Sequence, residues 1–380
     1  MKRRIVTVVC AALALSACST LDKLNPFSSA PKVKMAALTA FEPSASFRTL
    51  WQGRIGEAED FNFVPAVVGS AVYATGRDGR LARFEDGREV WRIKAGQALS
   101  GGVGADEKLV AVGTSKGELL VFDADGKPLW TARVGSEVLA PPLIVPGMVI
   151  VRSGDSRIYA FDSADGKRRW VYQRSTPALS LRSAAGLVAV DSGILAGFPG
   201  GKLVVINAGN GSAIWEATVA QPRGSTELER VADVVGVPVI TGRSVCAVAY
   251  QGRVGCFELA SGNPVWTRAL SSSVGLDADD RNVYVADDKG AVHALELSSG
   301  ASVWKQDKLS MRGLTRPVAA GRYIVVGDSQ GVLHALRRED GDFAARHNTD
   351  ASAVIPEPRA LSNGIVVQTR SGGIYAIDVQ

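Results

Sequence analysis

The chain has 380 residues, of which 46% are hydrophobic and 21% charged, with 43 basic and 38 acidic side chains. The basic residues form no run or stripe, so the composition does not favour nucleic-acid binding. Only three histidines and four cysteines occur, and none follows the spacing of a metal-binding motif. We therefore expect no metal site.

The N terminus has the three parts of a secretory signal. Basic residues at positions 2–4 precede an apolar run from Ile5 to Leu15, which is too short to persist as a membrane-spanning helix. The following Leu-Ser-Ala-Cys18 resembles the lipobox of bacterial lipoproteins, which implies cleavage before Cys18 and acylation of its thiol. Because Ser19 replaces the aspartate that retains such proteins at the inner membrane, we expect a lipid anchor in the outer membrane, facing the periplasm.

The charge and composition change after this segment. Cleavage removes three of the 43 basic residues and no acidic one, which leaves 40 basic against 38 acidic side chains. Residues 18–45 are rich in Ser, Pro and Ala and predict a lipidated flexible tether. We expect the remaining residues, 46–380, to form one closed domain.

A sequence repeat with a period near 40 residues fills that domain. Each unit has an alternating apolar strand, a turn with an acidic residue or Asn and a glycine, and a second strand with a tryptophan, as in Ile158–Asp162, Gly166 and Trp170. The first strand of the unit recurs at positions 79, 117, 156, 201, 252, 290, 331 and 372. Two further strand candidates precede each copy, so the unit has four antiparallel strands. Such sheets must pack face to face to bury both surfaces, which predicts an all-β, eight-bladed β-propeller.

The two ends of the chain complement each other. The last copy ends two residues after Asp378 without its tryptophan strand, and Trp51 has no signature strand before it. We expect Phe47–Arg54 to supply the outermost strand of the eighth blade.

The tryptophans are interpreted as apolar wedges between blades rather than as a ring that stacks on a ligand. Ala345 stands where the seventh copy should have tryptophan, which predicts a looser joint there.

Two consecutive connections between repeats are longer than the others. They span 31 and 37 residues from a tryptophan to the next signature strand, against 24–28 elsewhere. Both join an outer strand to the next inner strand, so they lie on the same face of the ring. The first contains Leu179, Leu181 and Arg182, and the second contains residues 224–233. Leucine beside arginine on a projecting loop favours a protein-docking surface; the alternative is that the leucines fold back onto the blade edge.

Cys246 and Cys256 flank a predicted turn at Gln251-Gly252 symmetrically. Facing residues of an antiparallel hairpin are close enough for a disulfide, and the periplasm is oxidising. The spacing predicts a cross-strand disulfide, and two small buried thiols are the alternative.

No catalytic constellation is recognisable. The repeat is similar to that of the eight-bladed quinoprotein dehydrogenases, but the adjacent cysteines and long insertions of those enzymes are missing. A quinone-cofactor dehydrogenase is kept as the alternative function. There is no Gly-x-Ser-x-Gly elbow, and most carboxylates occupy the repeated turn, where a structural role is expected. We expect no enzyme activity and no cofactor.

From lipobox to closing strand, the chain resembles the BamB family, lipoprotein subunits of the β-barrel assembly machinery. The most specific matches are Leu179-Ser180-Leu181-Arg182 and the stretch from Gly224 to Asp233. The resemblance implies that Leu179, Leu181, Arg182 and Asp233 bind the POTRA domains of BamA, the barrel-forming subunit, in a complex with other Bam subunits. It also suggests that sheet edges or the broad face contact nascent outer-membrane proteins. A second aspartate of the family pattern is Val235 here.

Overall fold

The computed structural model describes residues 34–380. The signal segment, Cys18 and most of the predicted tether lie outside the described residues. Within them, 32 strands form eight four-stranded antiparallel sheets, and the described chain has no helix that is long and apolar enough to cross a membrane. The predicted all-β, eight-bladed propeller is confirmed.

The strands follow one another along the chain, four to a blade, and the inner strands carry the runs of buried apolar residues. Blades 1–4 comprise β2–β5 (Ala66–Val68, Ala71–Thr75, Arg80–Glu85, Arg88–Lys94), β6–β9 (Gly104–Ala105, Leu109–Gly113, Glu118–Asp123, Pro128–Arg133), β10–β13 (Leu143–Val145, Met148–Arg152, Ile158–Asp162, Arg168–Tyr172) and β14–β17 (Leu187–Val190, Gly193–Phe198, Lys202–Asn207, Ala213–Thr218). Blades 5–7 comprise β18–β21 (Val234–Thr241, Ser244–Ala249, Arg253–Glu258, Pro264–Ala269), β22–β25 (Leu276–Ala278, Asn282–Ala286, Val292–Glu296, Ser302–Gln306) and β26–β29 (Val318–Ala320, Tyr323–Gly327, Val332–Arg337, Phe343–Asn348). Blade 8 joins β30–β32 (Arg359–Leu361, Gly364–Gln368, Gly373–Val379) to β1 (Phe47–Arg54).

The ring closes by pairing the two ends of the chain. Strand β1 runs antiparallel to β32, from Phe47 opposite Val379 to Arg54 opposite Gly373. The backbone N–H groups of Ser46 and Gln380 also donate to each other's carbonyl oxygens at 2.8 and 2.9 Å. The predicted closure by the N-terminal strand is confirmed.

The tryptophans seal the joints between blades. Each packs against the turn glycine of the next blade; for example, a Cβ atom built on Gly166 would lie 2.5 Å from Trp130, and one on Gly341 would lie 2.4 Å from Trp304. The indole N–H then donates to a backbone carbonyl of that next turn, as from Trp130 to Ser163 at 3.0 Å. Five further indoles make the equivalent hydrogen bond at 2.7–3.0 Å: Trp91, Trp170, Trp215, Trp266 and Trp304. The repeated glycine is therefore required by contact as well as by backbone conformation.

The joint between blades 7 and 8 is built differently. The third and fourth strands of blade 8 come from opposite ends of the chain, so this blade lacks the turn on which a tryptophan would pack. Ala345 occupies the tryptophan position of blade 7, is 2% exposed, and packs with Ala45 and Phe47. The sequence predicted a looser joint here; in the structure the chain segment that leads into β1 fills the position.

That segment begins ten residues before the predicted domain boundary. The compact unit starts at Ala36, and the carbonyl of Ala36 accepts a hydrogen bond from Arg312 at 2.9 Å. Arg346 donates to the carbonyl of Thr39 at 2.6 Å, and its guanidinium lies 4.8 Å from the ring centroid of Phe41. Residues 36–45, which composition assigned to the tether, thus belong to the folded ring.

Candidate functional site

Both long connections lie on one face of the ring and touch each other. The first, residues 173–186, joins β13 of blade 3 to β14 of blade 4, and the second, residues 219–233, joins β17 to β18 of blade 5. Each is irregular because its polar, Pro- and Ser-containing sequence offers no apolar alternation for a strand. We call residues 173–186 loop A and residues 219–233 loop B.

Loop A presents its two leucines differently. Leu179 is 43% exposed, whereas Leu181 is half-buried against the apolar cluster that includes Val235 and Tyr250. Both sequence-based interpretations are therefore partly realised, since one leucine projects and the other folds back onto the blade. Leu179 and Leu181 together therefore give loop A an apolar surface that is partly exposed to solvent.

Arg182 is exposed but already paired within the ring. Its guanidinium makes a bidentate ion pair with Glu137, with Nε–Oε1 and Nη2–Oε2 distances of 2.7 Å each, and lies 5.2 Å from the ring centroid of Phe61. Glu137 belongs to the connection between blades 2 and 3. The ion pair fixes the direction of the Arg182 side chain, part of which remains exposed to solvent.

Asp233 is almost completely buried. It is 2% exposed, and its carboxylate accepts hydrogen bonds from the backbone N–H groups of Leu181 at 2.6 Å and Gly200 at 3.1 Å. The resemblance implied that Asp233 binds the partner directly. Its burial indicates instead that it positions loop A from the end of loop B. The exposed side chain of Leu179 lies two residues from the N–H that Asp233 holds.

A buried arginine lies beside Asp233. Arg152 ends β11, is 8% exposed, donates to the carbonyl of Gly197, and sits 5.0 Å from the ring centroid of Phe198. Burial lowers its pKa to about 10, and the nearby Asp233 charge opposes that shift. Sequence reasoning missed Arg152, although a charged residue at the end of the otherwise apolar strand Met148–Arg152 was the available signal.

Val235 fits the apolar surroundings of its position. It is 2% exposed and packs with Cys246 and Leu276, and Leu181 lies against this cluster. An aspartate here would bury a carboxylate without a donor among these neighbours. Val235 therefore supports loop A by packing against Leu181, at a position where the family pattern has an aspartate.

Cys246 and Cys256 occupy directly opposed positions of β19 and β20. Their Cα atoms are 4.1 Å apart, their sulfur atoms are joined, and both residues are completely buried. The bond ties together the two strands of blade 5 that lie beneath loop A.

The histidines and carboxylates of the described residues take up structural positions. Among residues 34–380, no three His, Cys, Asp or Glu side chains are grouped to hold a metal ion. His293 and His334 each pair with an aspartate six residues earlier, at 2.9 and 3.1 Å. That equivalence is typical of a structural position in the repeat.

These features define an eight-bladed, tryptophan-motif propeller with one irregular face. A family model described as "Outer membrane protein assembly factor BamB" matches residues 77–306. The chain is 43% identical to the protein of that name from Bordetella pertussis, over 96% of this chain and 94% of the relative. It is 40% identical to the one from Burkholderia pseudomallei, over 99% and 98%. The chain belongs to the BamB family.

Solved structures agree with the fold. The crystal structure of BamB from Moraxella catarrhalis has a TM-score of 0.82 at 28% identity, covering 87% of this chain and 99% of that one. A europium-containing methanol dehydrogenase reaches a TM-score of 0.71 at 12% identity, over 85% and 84%. This second likeness concerns the fold alone.

Proposed function

We propose that this chain is a non-catalytic scaffold of the β-barrel assembly complex, which docks the POTRA domains of BamA and assists the folding and insertion of outer-membrane proteins. The observation that carries the proposal is the hydrogen bond between Asp233 and the N–H of Leu181. It holds loop A and loop B together as one rigid surface on a propeller that belongs to the family of outer membrane protein assembly factors.

Each docking residue has a separate task in this proposal. Leu179 and Leu181 bury apolar area against a POTRA domain, which is the main source of affinity. Arg182, directed by Glu137, makes charge-assisted hydrogen bonds to acceptors on the partner. Asp233 keeps the loop in the binding conformation, so the partner meets an ordered surface and less entropy is lost on association.

The lipid anchor places this surface at the membrane. Acylation of Cys18 would hold the ring at the periplasmic face of the outer membrane, since each buried acyl CH₂ contributes about 0.8 kcal/mol. Metabolic labelling with a radioactive fatty acid tests this point. Label in the wild-type chain and none in Cys18→Ser is expected, and label retained by the variant would contradict it.

The docking test is a pull-down from detergent-solubilised envelopes. Leu181→Glu and Arg182→Glu should each abolish co-purification with BamA. Leu181→Glu would bury a carboxylate in the interface, and Arg182→Glu would reverse the charge that is proposed to contact the partner. Leu129→Glu is the matched control, since Leu129 is 47% exposed on the outer strand of blade 2. Both docking variants must keep the wild-type melting temperature. Retained BamA in the two folded variants would refute the assignment of loop A.

The competing function, suggested by the similarity of the sequence repeat to that of the quinoprotein dehydrogenases, is a quinone-dependent enzyme. The described residues do not fit that cofactor: they offer no carboxylate cluster for its calcium, and the cysteine pair is buried inside blade 5. Titration with pyrroloquinoline quinone and calcium should give neither heat nor an absorbance change. Saturable heat would support the enzyme instead.

A further inference from the structure

The segment that precedes β1 is attached to the ring by two arginines. Residues 36–45, here called the strap, lie along the outer strand β29 of blade 7. Arg312 donates to the carbonyl of Ala36 at 2.9 Å, and Arg346 donates to the carbonyl of Thr39 at 2.6 Å. The position of the strap therefore depends on what holds these two arginine side chains.

Both arginines contact one buried pair of side chains. The Nε of Arg312 donates to Oδ2 of Asp328 at 2.6 Å, and the same oxygen lies 3.1 Å from Nε2 of His334. The Nε of Arg346 donates to Nδ1 of His334 at 3.3 Å. His334 and Asp328 are completely buried. The two attachments of the strap are thus connected through one histidine and one aspartate.

These contacts require an uncharged His334. Its Nδ1 presents a lone pair to Arg346 while its Nε2–H donates to Asp328. A proton on Nδ1 would set two N–H donors against each other and would add a third positive charge beside Arg312 and Arg346, with one carboxylate to balance them.

The charged groups that face His334 come from three elements: Asp328 from the turn before β28, Arg346 from β29, and Arg312 from the connection before β26. Burial lowers the pKa of His334, and both arginines add to this effect, although Asp328 opposes it. Uptake of a proton therefore favours movement of Arg346 away from the ring, which breaks the attachment at Thr39.

Blade 6 has the same histidine–aspartate pair with a different residue on its outer strand. His293 contacts Asp287 at 2.9 Å, and the residue opposite His293 on β25 is Lys305. Lys305 pairs with Asp307 at 3.7 Å. The link from the histidine through an arginine to the strap is thus specific to blade 7, and blade 6 provides an internal control.

The strap extends from one face of the ring toward the other. The N–H of Ala36 donates at 2.9 Å to Ser310, in the connection between blades 6 and 7, and residues 44–45 donate to the carbonyl of Ala344 at 3.0 and 3.1 Å. That connection lies on the face that carries loops A and B, whereas Ala344 lies near the start of β29, toward the opposite face. The pairing of β1 with β32 involves neither arginine, so the strap can detach while the ring stays closed.

We propose that the strap is a pH-sensitive latch, which is closed while His334 is neutral and opens when His334 takes up a proton. Opening leaves β1 as the first fixed element of the chain. With the lipid anchor proposed above, the segment between Cys18 and the ring then gains ten residues, or about 33–36 Å of reach. Its point of attachment also moves away from the face that carries loops A and B.

The test is amide hydrogen exchange of the purified mature chain between pH 7.5 and pH 5.5, expressed as protection relative to the unfolded sequence at the same pH. A histidine released from the latch binds its proton near pH 6.5, so protection of the strap amides should fall about 10-fold at pH 5.5. Strands β23 and β24 of blade 6 should keep their protection. Strap protection in the wild type that does not change with pH would overturn the proposal without the use of any variant.

Three variants identify the group that titrates. His347, whose ring lies 5.9 Å from that of Phe47, also has a pKa lowered by burial. His347→Gln and His293→Gln should keep the full response, whereas His334→Gln, which cannot titrate there, should lose it. Loss of the response in His347→Gln, or its persistence in folded His334→Gln, would refute the assignment to His334.

A further variant tests the arginine link. Arg346→Met removes the bonds to His334 and Thr39 while keeping an apolar side chain beside Phe41, so the strap should be poorly protected at both pH values. Wild-type protection in this variant would also overturn the proposal. These measurements do not involve BamA, so their failure would leave the proposed function standing.

Discussion

The carboxylate of Asp233 lies 2.6 Å from the backbone nitrogen of Leu181, although 52 residues separate them in the chain. The same carboxylate accepts from Gly200, and the guanidinium of Arg152 is buried nearby. One side chain therefore satisfies two backbone donors and balances a buried charge at the point where the two loops meet. In the proposed docking surface its contribution would be conformational, because its side chain is buried.

Replacement of Asp233 should therefore affect stability and docking together. Asp233→Ala leaves two N–H donors without an acceptor and removes a nearby negative charge that favours the protonated form of buried Arg152, and we expect the free energy of unfolding to fall by about 2–4 kcal/mol. Affinity for BamA should also fall, because loop A is released. Chemical denaturation and calorimetric titration measure the two effects.

The double variant Arg152→Met/Asp233→Ala tests whether the loss of stability depends on the charge of Arg152. Since it removes the arginine as well, it should be more stable than the sum of the two single changes predicts. Strict additivity would show that Arg152 and Asp233 are not energetically coupled.

The contact between the turn glycine and tryptophan can be isolated with two glycines of similar backbone conformation. Gly341 has φ of +76° and Gly147 has φ of +78°, but a Cβ on Gly341 would lie 2.4 Å from Trp304, and nothing lies within 4 Å of one on Gly147. Gly147→Ala should cost about 1–2 kcal/mol from backbone conformation alone. Gly341→Ala should cost about 1–3 kcal/mol more, through overpacking. Equal melting temperatures for the two variants would show that the contact between residue 341 and Trp304 adds no overpacking energy.

The disulfide of blade 5 should resist reduction in the folded protein. Cys246 and Cys256 are both completely buried, so a thiol reductant reaches them only after local or global unfolding. Intact mass should rise by about 2 Da after reduction in denaturant and not after the same treatment of the native chain. Cys246→Ala should lower the free energy of unfolding by about 2–4 kcal/mol. An unchanged mass in denaturant would mean that the cysteines are free.

The buried pair in blade 7 predicts a pH dependence. His334 is fully buried; burial lowers its pKa, and the hydrogen bond with Asp328 opposes that shift. Arg346 donates to its Nδ1 at 3.3 Å, so the neutral ring, with its proton on Nε2 toward Asp328, fits these contacts. Asp328 also pairs with Arg312 at 2.6 Å. The folded state therefore favours neutral His334.

The sign of the effect follows from linkage. A histidine whose folded pKa is depressed takes up its proton more readily when unfolded, so stability is complete above about pH 6.5 and declines as pH falls toward the folded pKa. The pKa of Asp328 is lowered by its hydrogen bonds although burial opposes this, and its contribution is lost only at more acidic pH. Melting temperatures between pH 7.5 and pH 5 should decline in the wild type and in His293→Gln, and less in His334→Gln. Parallel curves for all three would contradict this account.

The repeat could be predicted from sequence because one contact recurs at seven of the eight joints between blades. The glycine of a turn and the tryptophan of the preceding blade constrain each other, so both recur with the repeat. The sequence shows that Ala345 departs from the tryptophan pattern, but it does not show why. The reason is that the two ends of the chain pair in blade 8, so that blade lacks the turn on which a tryptophan would pack.

The candidate site was only partly predictable. Loop positions follow from counting residues between repeats, and Leu179 and Arg182 are exposed as expected. The direction of the Asp233 side chain depends on donors from loop A and blade 4, which no local pattern encodes. Residues 36–45 were assigned to the tether by composition, because their arginine partners lie some 300 residues further along the chain.

The pairing of β1 with β32 also sets the order of events during biogenesis. Seven registered positions of the final sheet require residues as late as Val379, so blade 8 is incomplete until residue 379 has been synthesised. A nonsense codon or a proteolytic cut before Gly373 would leave β1 without its partner strand. An affinity tag attached after Gln380 would therefore lie beside the pairing of β1 with β32.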